Sequence, residues 1–235
     1  MRAFIIVLLV LISLTGTGQI RSGKIVFERR TNLLKKYSDS RMKAWLKDKK
    51  IKIDMFEMYF NDTMSIFKPQ ETDLVEQMDW ATMKNIVYQN LKKNQRMSIL
   101  PIWGDNVFVS DSLKKREWKV TSSMRKIAGY DCRRMIWEKN DTTRIHAWYT
   151  EAILPSLGPE SFWGLPGTIL GLATEDGGVV YFAKTVEAGV DNIKEHIPEF
   201  PAKKIKTEEE LRKDMAEKFG DKPWGKNIME GLFAW

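Results

Sequence analysis

The sequence predicts a mainly β protein, built as a single curved antiparallel sheet or half-barrel with a few helices, one of them C-terminal. Roughly ten short apolar or alternating segments are separated by turn residues at regular spacing, which is typical of antiparallel sheets. Helical periodicity is confined to two short stretches, near residue 42 and after residue 207. A proline–glycine corner at Pro166 and Gly167 bends the chain inside its most apolar region.

The first half of the chain predicts six strands and one short helix. Asp39 or Ser40 is expected to cap the helix, in which Met42, Trp45 and Leu46 have helical spacing. Asn61 and Asp62 form a tight-turn signal, and residues 69–79 are polar and acidic, as in a loop. The expected strands are residues 24–30, 53–60, 63–67, 86–91, 96–102 and 106–110.

The second half predicts hairpins followed by a helix. Strands are expected at residues 118–127, 130–138, 144–150, 165–174 and 179–186, with turns at 128–129, 139–142 and 176–177. Thr207 and Glu210 have the spacing of a capping box, so a helix should begin there. It should run to about Phe219, with Gly220 as its stop and Pro223 beyond it.

The corner at residues 165–167 has a defined backbone chemistry. Leu165 precedes a proline and is therefore pushed towards an extended conformation. Pro166 fixes φ for the first position of a turn, and Gly167 supplies the positive φ that a type II turn needs next. Backbone N–H groups of such a turn could face an anion. Pro166 has no N–H, however, which favours a structural corner.

The first 19 residues predict a secretory signal peptide. Arg2 is followed by an uncharged apolar run at 3–14 and by small and polar residues at 15–19. The apolar run is too short to span a membrane as a helix. We expect cleavage near Gly18 or Gln19 and an exported protein whose residues 20–235 form one domain. Cys132 is the only cysteine, so neither a disulfide nor a lipid-attachment cysteine is expected.

The charges of the chain do not point to a specific acidic partner. The 235 residues are 43% hydrophobic and carry a formal net charge of +7, with basic and acidic residues scattered along the sequence. This is typical of a solvated surface of mixed sign. An exported protein also seldom meets nucleic acid, so we expect none.

Several ordered motifs resemble those of the GLPGLI family of exported Gram-negative bacterial proteins. They are Trp118, residues 127–132 (Ile-Ala-Gly-Tyr-Asp-Cys), residues 147–150 (Ala-Trp-Tyr-Thr), Gly158–Pro159, Phe162 and residues 164–170 (Gly-Leu-Pro-Gly-Thr-Ile-Leu). Thr168 replaces the usual leucine of the central hexapeptide. The resemblance implies a periplasmic or cell-envelope setting and no established activity. Its structural positions here are Trp118, Gly129, Tyr130, Cys132, Gly158, Pro159, Gly164, Leu165, Pro166 and Gly167.

Cys132 and His146 suggest a thiol–imidazole pair for nucleophilic catalysis. With a two-residue turn at Asn140–Asp141, Met135 pairs with His146, and the thiol and the imidazole lie on opposite faces. A three-residue loop would place both on one face, about four residues apart along the ladder. A buried cysteine that packs as a small hydrophobic residue is the favoured interpretation.

No cofactor or metal site is expected. His146 and His196 are far apart in sequence, and no cluster of ligating residues has metal-binding spacing. The methionines at 55 and 58 lie in a strand-like run and are interpreted as packing residues.

Aromatic residues in the strongest strand region suggest a binding function. Alternation places Trp148 with His146 on one face and Tyr149 with Ala147 on the other. Trp148, Tyr149, Phe162 and Trp163 are the candidate residues lining an apolar concavity.

These aromatics favour a non-enzymatic binding, carrier or assembly-factor module for a hydrophobic ligand or an outer-membrane partner, similar in shape to periplasmic lipoprotein carriers. The alternatives are a structural subunit of an envelope assembly, marked by an exposed apolar patch, and a small hydrolase or thiol enzyme using Cys132.

Overall fold

Twelve strands form one open, curved sheet in the computed structural model, which describes residues 18–37, 39–46, 49–72, 78–189 and 192–222. The strands are β1 (Gly23–Asn32), β2 (Ile51–Phe60), β3 (Met64–Pro69), β4 (Ile86–Asn90), β5 (Gln95–Ile102), β6 (Asp105–Ser112), β7 (Trp118–Ile127), β8 (Tyr130–Asn140), β9 (Thr143–Thr150), β10 (Thr168–Thr174), β11 (Val179–Ala188) and β12 (Ile205–Lys206). The helices are α1 (Leu33–Lys36), α2 (Ser40–Leu46) and α3 (Glu208–Phe219). The predicted fold class is confirmed.

The sheet joins two runs of neighbouring strands. Its order is β12-β6-β5-β4-β3-β2-β1-β11-β10-β9-β8-β7. All pairs are antiparallel except β12 with β6, which is parallel. The two halves meet where β1 pairs with β11, a contact between strands at opposite ends of the chain. This pairing brings residues of the second half next to the N-terminal strands.

Most local signals in the sequence are confirmed. The Oδ1 atom of Asp39 accepts hydrogen bonds from the N–H groups of Arg41 and Met42 at the start of α2. Thr207 and Glu210 form the predicted capping box of α3, and Phe219 is its last residue.

Some predicted segments lie outside the described residues. These are residues 1–17 of the predicted signal peptide, residues 73–77 of the predicted loop, and Pro223. No helix among the described residues is long and apolar enough to span a membrane.

Most of the core lies on one face of the sheet, which we call the inner face. It carries Phe27, Phe56, Phe67 and Tyr181, which are all fully buried. The rings of Phe56 and Phe67 stack with centroids 4.8 Å apart. The opposite face, here the outer face, carries Glu28, Trp148 and Phe182, which follow from the pairings of β1 with β11 and of β9 with β10.

The proline–glycine corner has the predicted positive φ at Gly167 but not the hydrogen bond of the predicted type II turn. Gly167 has a φ of 145°, and its N–H donates to the Leu165 carbonyl at 2.8 Å, so the turn spans three residues around Pro166. The Thr168 N–H donates instead to the Ile153 carbonyl. A Cβ atom on Gly167 would lie 2.1 Å from the Thr150 carbonyl oxygen, so this position requires glycine.

Thr168 occupies the position at which the GLPGLI pattern has leucine, and its hydroxyl forms a hydrogen bond. The side chain is fully buried. Its Oγ1 atom donates a 2.7 Å hydrogen bond to the Pro155 carbonyl. The hydroxyl therefore ties the start of β10 to the segment before the corner.

Strand β7 is the last strand at one end of the sheet, and its pairing with β8 is irregular. Val120 pairs with Met135 and Met124 with Arg133, so residues 121–123 bulge out of the ladder. Val120 and Met124 are both exposed.

Candidate functional site

The β8–β9 hairpin has the register expected for a three-residue loop rather than for a two-residue turn. Ile136 pairs with His146 and Arg134 with Trp148, because the pairing shifts between Glu138 and Asn140. The arrangement expected for a two-residue turn, with Cys132 and His146 on opposite faces, is therefore wrong, and the alternative with both on one face is confirmed. They share the outer face, four residues apart along the strand, which is about 13 Å.

The Cys132 thiol is not arranged as a nucleophile. It is fully buried, and burial raises its pKa to about 12. Its Sγ atom lies 3.5 Å from the Tyr130 carbonyl oxygen. A thiol with this pKa stays protonated at neutral pH, and the thiolate is the reactive form.

His146 is also poorly suited to bind a metal or to act as a base. Its Nε2 atom is buried without a hydrogen-bond partner among the described residues. Burial lowers its pKa, so the ring is neutral at pH 7. Within the described ranges, no group of three or more histidine, cysteine, aspartate or glutamate side chains is placed to hold a metal ion.

The four predicted ligand-binding aromatics do not line one cavity. Trp148 lies on the outer face and Tyr149 on the inner face. Phe162 is fully buried between Trp118 and Trp137, with ring centroids at 6.2 and 6.0 Å. This part of the inner face is therefore filled by Phe162.

Trp163, the fourth of these aromatics, is half-buried, and its Nε1 atom donates a 2.8 Å hydrogen bond to the Lys114 carbonyl. Trp148 is the one that approaches an open site. A ligand-binding role for the four residues stays a prediction.

A cleft of about 510 Å³ opens on the outer face between β1, β11 and the turn of the β7–β8 hairpin. Its volume is in the range of small-molecule sites. The apolar part is formed by Ile127, Ala128, Val180, Phe182 and Ala183, and the polar part by Glu28, Arg30, Arg125, Lys126 and Lys184. We call this site the outer cleft.

Phe182 and Arg125 line the outer cleft, and Trp148 packs beside both of them. The Trp148 and Phe182 rings lie 5.5 Å apart. The Arg125 guanidinium lies 4.8 Å from the centre of the Phe182 ring and 5.5 Å from that of Trp148. Such cation–π contacts hold the guanidinium above the apolar floor.

The outer cleft has an excess of positive charge. Glu28 is its one carboxylate, and that group already accepts a 2.6 Å hydrogen bond from Arg30 and lies 3.5 Å from the Lys184 ammonium. Burial slightly opposes ionisation of Glu28, but the Arg30 hydrogen bond prevails and lowers the pKa. Among the described residues, no carboxylate lies within 4.0 Å of the Arg125 or Lys126 cation. These two cations are therefore available to a negatively charged ligand.

Two local features of the sequence build the outer cleft. Ala128 and Gly129 both have positive φ, 48° and 88°, which gives the tight turn that brings β7 back onto β8. Gly171 lies beneath the floor, where a Cβ atom would come within 2.9 Å of Phe182 and Ile127. The absence of a side chain at Gly171 thus makes room for both.

The inner face holds a buried ionic network that anchors the segment containing Gly158 and Pro159. Arg29 donates to Asp54 at 2.6 Å, and Tyr181 donates to Glu160 at 2.7 Å. Burial raises the pKa of Glu160. Burial also opposes the charge of Asp54, but the Arg29 guanidinium prevails and lowers the Asp54 pKa. The backbone of Glu160 is left-handed, with φ 51°, which is unfavourable for a residue other than glycine. The surrounding contacts must therefore stabilise this conformation.

None of these residues was predicted from the sequence, although the sequence carries a signal for two of them. Arg29 lies two residues after Phe27 in β1, and Asp54 lies two residues before Phe56 in β2. Each therefore shares a face with a core residue. A charged residue on an apolar face indicates a buried ion pair. No comparable signal marks Arg125, because its contacts depend on the sheet order.

Comparisons with solved structures show the fold. The chain aligns with two structures of PNGF-II, in P21 and C2 space groups, with TM-scores of 0.56 and 0.53 and identities of 16% and 17%. Each alignment covers 82% of this chain and 32% of that chain, so the protein spans about a third of the length of PNGF-II. A MucB–MucA(peri) complex aligns with a TM-score of 0.40 and 8% identity over 81% of this chain and 58% of that one. A likeness at that level does not establish a common fold.

Comparison with curated proteins finds no match. A family model matches only part of the chain. The matched segment, residues 137–171, contains β9, the proline–glycine corner and the start of β10. Over these residues the chain is similar to the family described as "Protein of unknown function (Porph_ging)".

Proposed function

We propose that the protein is an exported cell-envelope protein of the GLPGLI family that acts as a non-enzymatic binding or carrier module. Its ligand has an apolar body and a negatively charged group, and it occupies the outer cleft. The apolar body contacts the floor around Phe182 and Ile127, and the charged group meets Arg125 and Lys126.

The observation that carries this proposal is the composition of the outer cleft. An apolar floor beside unneutralised cations matches an amphipathic anion such as a fatty acid. An uncharged ligand would leave the Arg125 guanidinium without a counter-ion, and a cationic ligand would be repelled.

The envelope setting is supported by the signal-like residues 1–19 and by the GLPGLI motifs. Deletion of residues 1–19 is expected to leave a folded protein in the cytoplasm. Cell fractionation measures this, and export of the deleted chain would refute the leader assignment.

Binding is tested by isothermal titration calorimetry with dodecanoate and with dodecyltrimethylammonium, which have the same chain length and opposite charge. We expect the anion to bind at least about 10-fold more tightly, a difference of about 1.4 kcal/mol. Arg125→Glu should weaken dodecanoate binding by about the same factor, because it reverses a charge in the cleft.

Arg133→Glu is the matched control, since Arg133 is exposed on the same hairpin and is not part of the cleft. Its affinity for dodecanoate should stay within about twofold of the wild-type value. The proposal fails if neither amphiphile binds, if the cation binds as tightly as the anion, or if both variants behave alike.

A second candidate function, a structural subunit of an envelope assembly, is favoured by an exposed aromatic cluster. Trp45 and Trp80 are each 59% exposed, with ring centroids 5.8 Å apart, and Tyr37 lies against Trp80. Native mass spectrometry of protein taken from the envelope separates the two functions. A retained small amphiphile supports the carrier, and a retained protein subunit that Trp80→Ser releases supports the assembly role.

A further inference from the structure

A row of polar side chains crosses the inner face over four neighbouring strands. Ser65 pairs with Gln89, Gln89 with Arg96, and Arg96 with Asp111. Ser65 and Gln89 are almost fully buried, and the Ser65 hydroxyl donates a 3.1 Å hydrogen bond to Gln89 Oε1. Such a row inside an otherwise apolar face is costly unless its groups have partners.

Arg116 lies over this row on the segment that connects β6 to β7. Its side chain is buried, with 9% of the residue exposed. The guanidinium lies 4.0 Å from the centre of the Phe162 ring, and its Nη1 atom donates to the Ser161 carbonyl at 3.2 Å and to the Lys114 carbonyl at 3.4 Å. Burial, and then the charge of Arg96, lower the Arg116 pKa to about 10. The two arginines therefore lie close enough to repel each other.

Four buried nitrogen atoms in this region have no acceptor among the described residues. They are Gln89 Nε2, Arg96 Nε, and Nε and Nη2 of Arg116. All of them are donors. A water molecule brings two hydrogens of its own into such a site, whereas sulfate and carboxylate groups bring only acceptors and phosphate brings mostly acceptors.

The neighbouring carboxylates are already engaged. Glu208 accepts hydrogen bonds from Arg96 at 2.7 Å, from Lys114 at 3.0 Å and from Arg212 at 2.7 Å. Asp111 accepts from the backbone N–H of Glu208 at 2.7 Å. Among the described residues, no carboxylate lies within 4.0 Å of the Arg116 guanidinium. Arg116 thus has no carboxylate in direct contact. The charge of the more distant Glu208 does act on it, but Glu208 is shared with Arg96, Lys114 and Arg212.

We propose that the inner face holds a small oxyanion, a phosphate, sulfate or carboxylate group, bound by Arg116, Arg96 and Gln89. We call this position the inner anion site. It lies on the opposite face from the outer cleft and does not depend on the proposed function. The oxyanion is either a free ion or the headgroup of a larger molecule.

The first test is thermal unfolding of the full chain during titration with inorganic phosphate at constant ionic strength. A ligand that binds only the folded protein raises the melting temperature with concentration. We expect a saturable rise of several degrees in the wild-type protein and none in Arg116→Met. Arg41→Gln, which removes an exposed arginine on α2, controls for general salt effects and should respond like the wild type.

Without phosphate, Arg116→Met is expected to be as stable as the wild type or more stable, because it removes an uncompensated buried charge. Calorimetric titration of a second variant with phosphate provides an independent test. Gln89→Leu keeps both arginines and should weaken phosphate binding by about fivefold or more, since it removes one donor.

Titration with a short-chain soluble phosphatidic acid shows whether the bound oxyanion is a free ion or the headgroup of a larger molecule. Tighter binding than inorganic phosphate indicates a headgroup, and equal or weaker binding indicates a free ion; either supports the site. The proposal is overturned if phosphate, sulfate, acetate and the phospholipid all fail to bind, or if Arg116→Met retains the wild-type response.

Discussion

The Tyr181 hydroxyl donates a 2.7 Å hydrogen bond to Glu160 Oε1 in the buried interior of the inner face. Tyr181 belongs to β11, in the middle of the sheet, and Glu160 follows Pro159 in the segment that covers the core. Arg29 Nη1 lies 3.4 Å from the same hydroxyl. The pair therefore ties the covering segment to the ionic network of β1 and β2.

Tyr181→Phe is expected to destabilise the protein by about 1–3 kcal/mol, because it leaves a buried carboxyl oxygen without its donor. Urea denaturation measures the loss. Tyr130→Phe is the control, since the Tyr130 hydroxyl makes no hydrogen bond among the described residues. Equal stability of the two variants would show that the Tyr181 contact contributes nothing.

Gly167→Ala should be more destabilising than Gly177→Ala. Both glycines have positive φ, 145° and 69°, but a Cβ on Gly167 would meet the Thr150 carbonyl oxygen, whereas nothing lies within 4 Å of one on Gly177. We expect the free energy of unfolding to fall by about 2–4 kcal/mol in Gly167→Ala and by about 1 kcal/mol in Gly177→Ala. Thermal melts of both variants test this, and a smaller loss at 167 than at 177 would contradict the close approach.

The docking of α3 should weaken in acid through Glu208. Burial raises the pKa of this carboxyl, but hydrogen bonds from Arg96, Lys114 and Arg212 outweigh it and lower the pKa to about 2, from an ordinary value of 4.5. A lowered folded pKa stabilises the protein above about pH 4.5, and this stability is lost as the pH falls towards 2.

Allowing for solvent screening, the Glu208 contribution is about 1–2 kcal/mol. Glu208→Gln should remove that amount at pH 7 and flatten the acid limb of the stability profile. Denaturation at several pH values compares the two proteins. Parallel profiles would exclude Glu208 as the titrating group.

Cys132 should resist thiol reagents in the folded protein. Its thiol is fully buried, and its pKa is raised to about 12. We expect labelling by a chromogenic disulfide at pH 8 to be at least about 100-fold slower in native buffer than in urea. Fast stoichiometric labelling of the native protein would restore the thiol-enzyme hypothesis.

Local chemistry made the secondary structure predictable. Thr207 and Glu210 specify the start of α3, and Gly177, after Asp176, supplies the positive φ of the β10–β11 turn. These signals need only a few neighbouring residues, so the sequence shows them directly.

The site depends on features that no local signal records. A single register shift between Glu138 and Asn140 places Ile136, rather than Met135, opposite His146. Because side chains alternate with a period of two, this shift also decides which β8 residues share a face with His146. The approach of Arg125 to Phe182 requires β11 to lie beside β10 and the β7–β8 hairpin to curve back over the outer face. Pairing of β1 with β11 is equally remote in sequence.

The irregular edge strand also bears on how the protein behaves in concentrated solution. A long, flat terminal strand is a template onto which a second molecule can add. Here the bulge at residues 121–123 interrupts the regular backbone of β7, and Arg125 and Lys126 place cations along it. The same irregularity that leaves Val120 and Met124 in water therefore protects the protein against edge-to-edge aggregation.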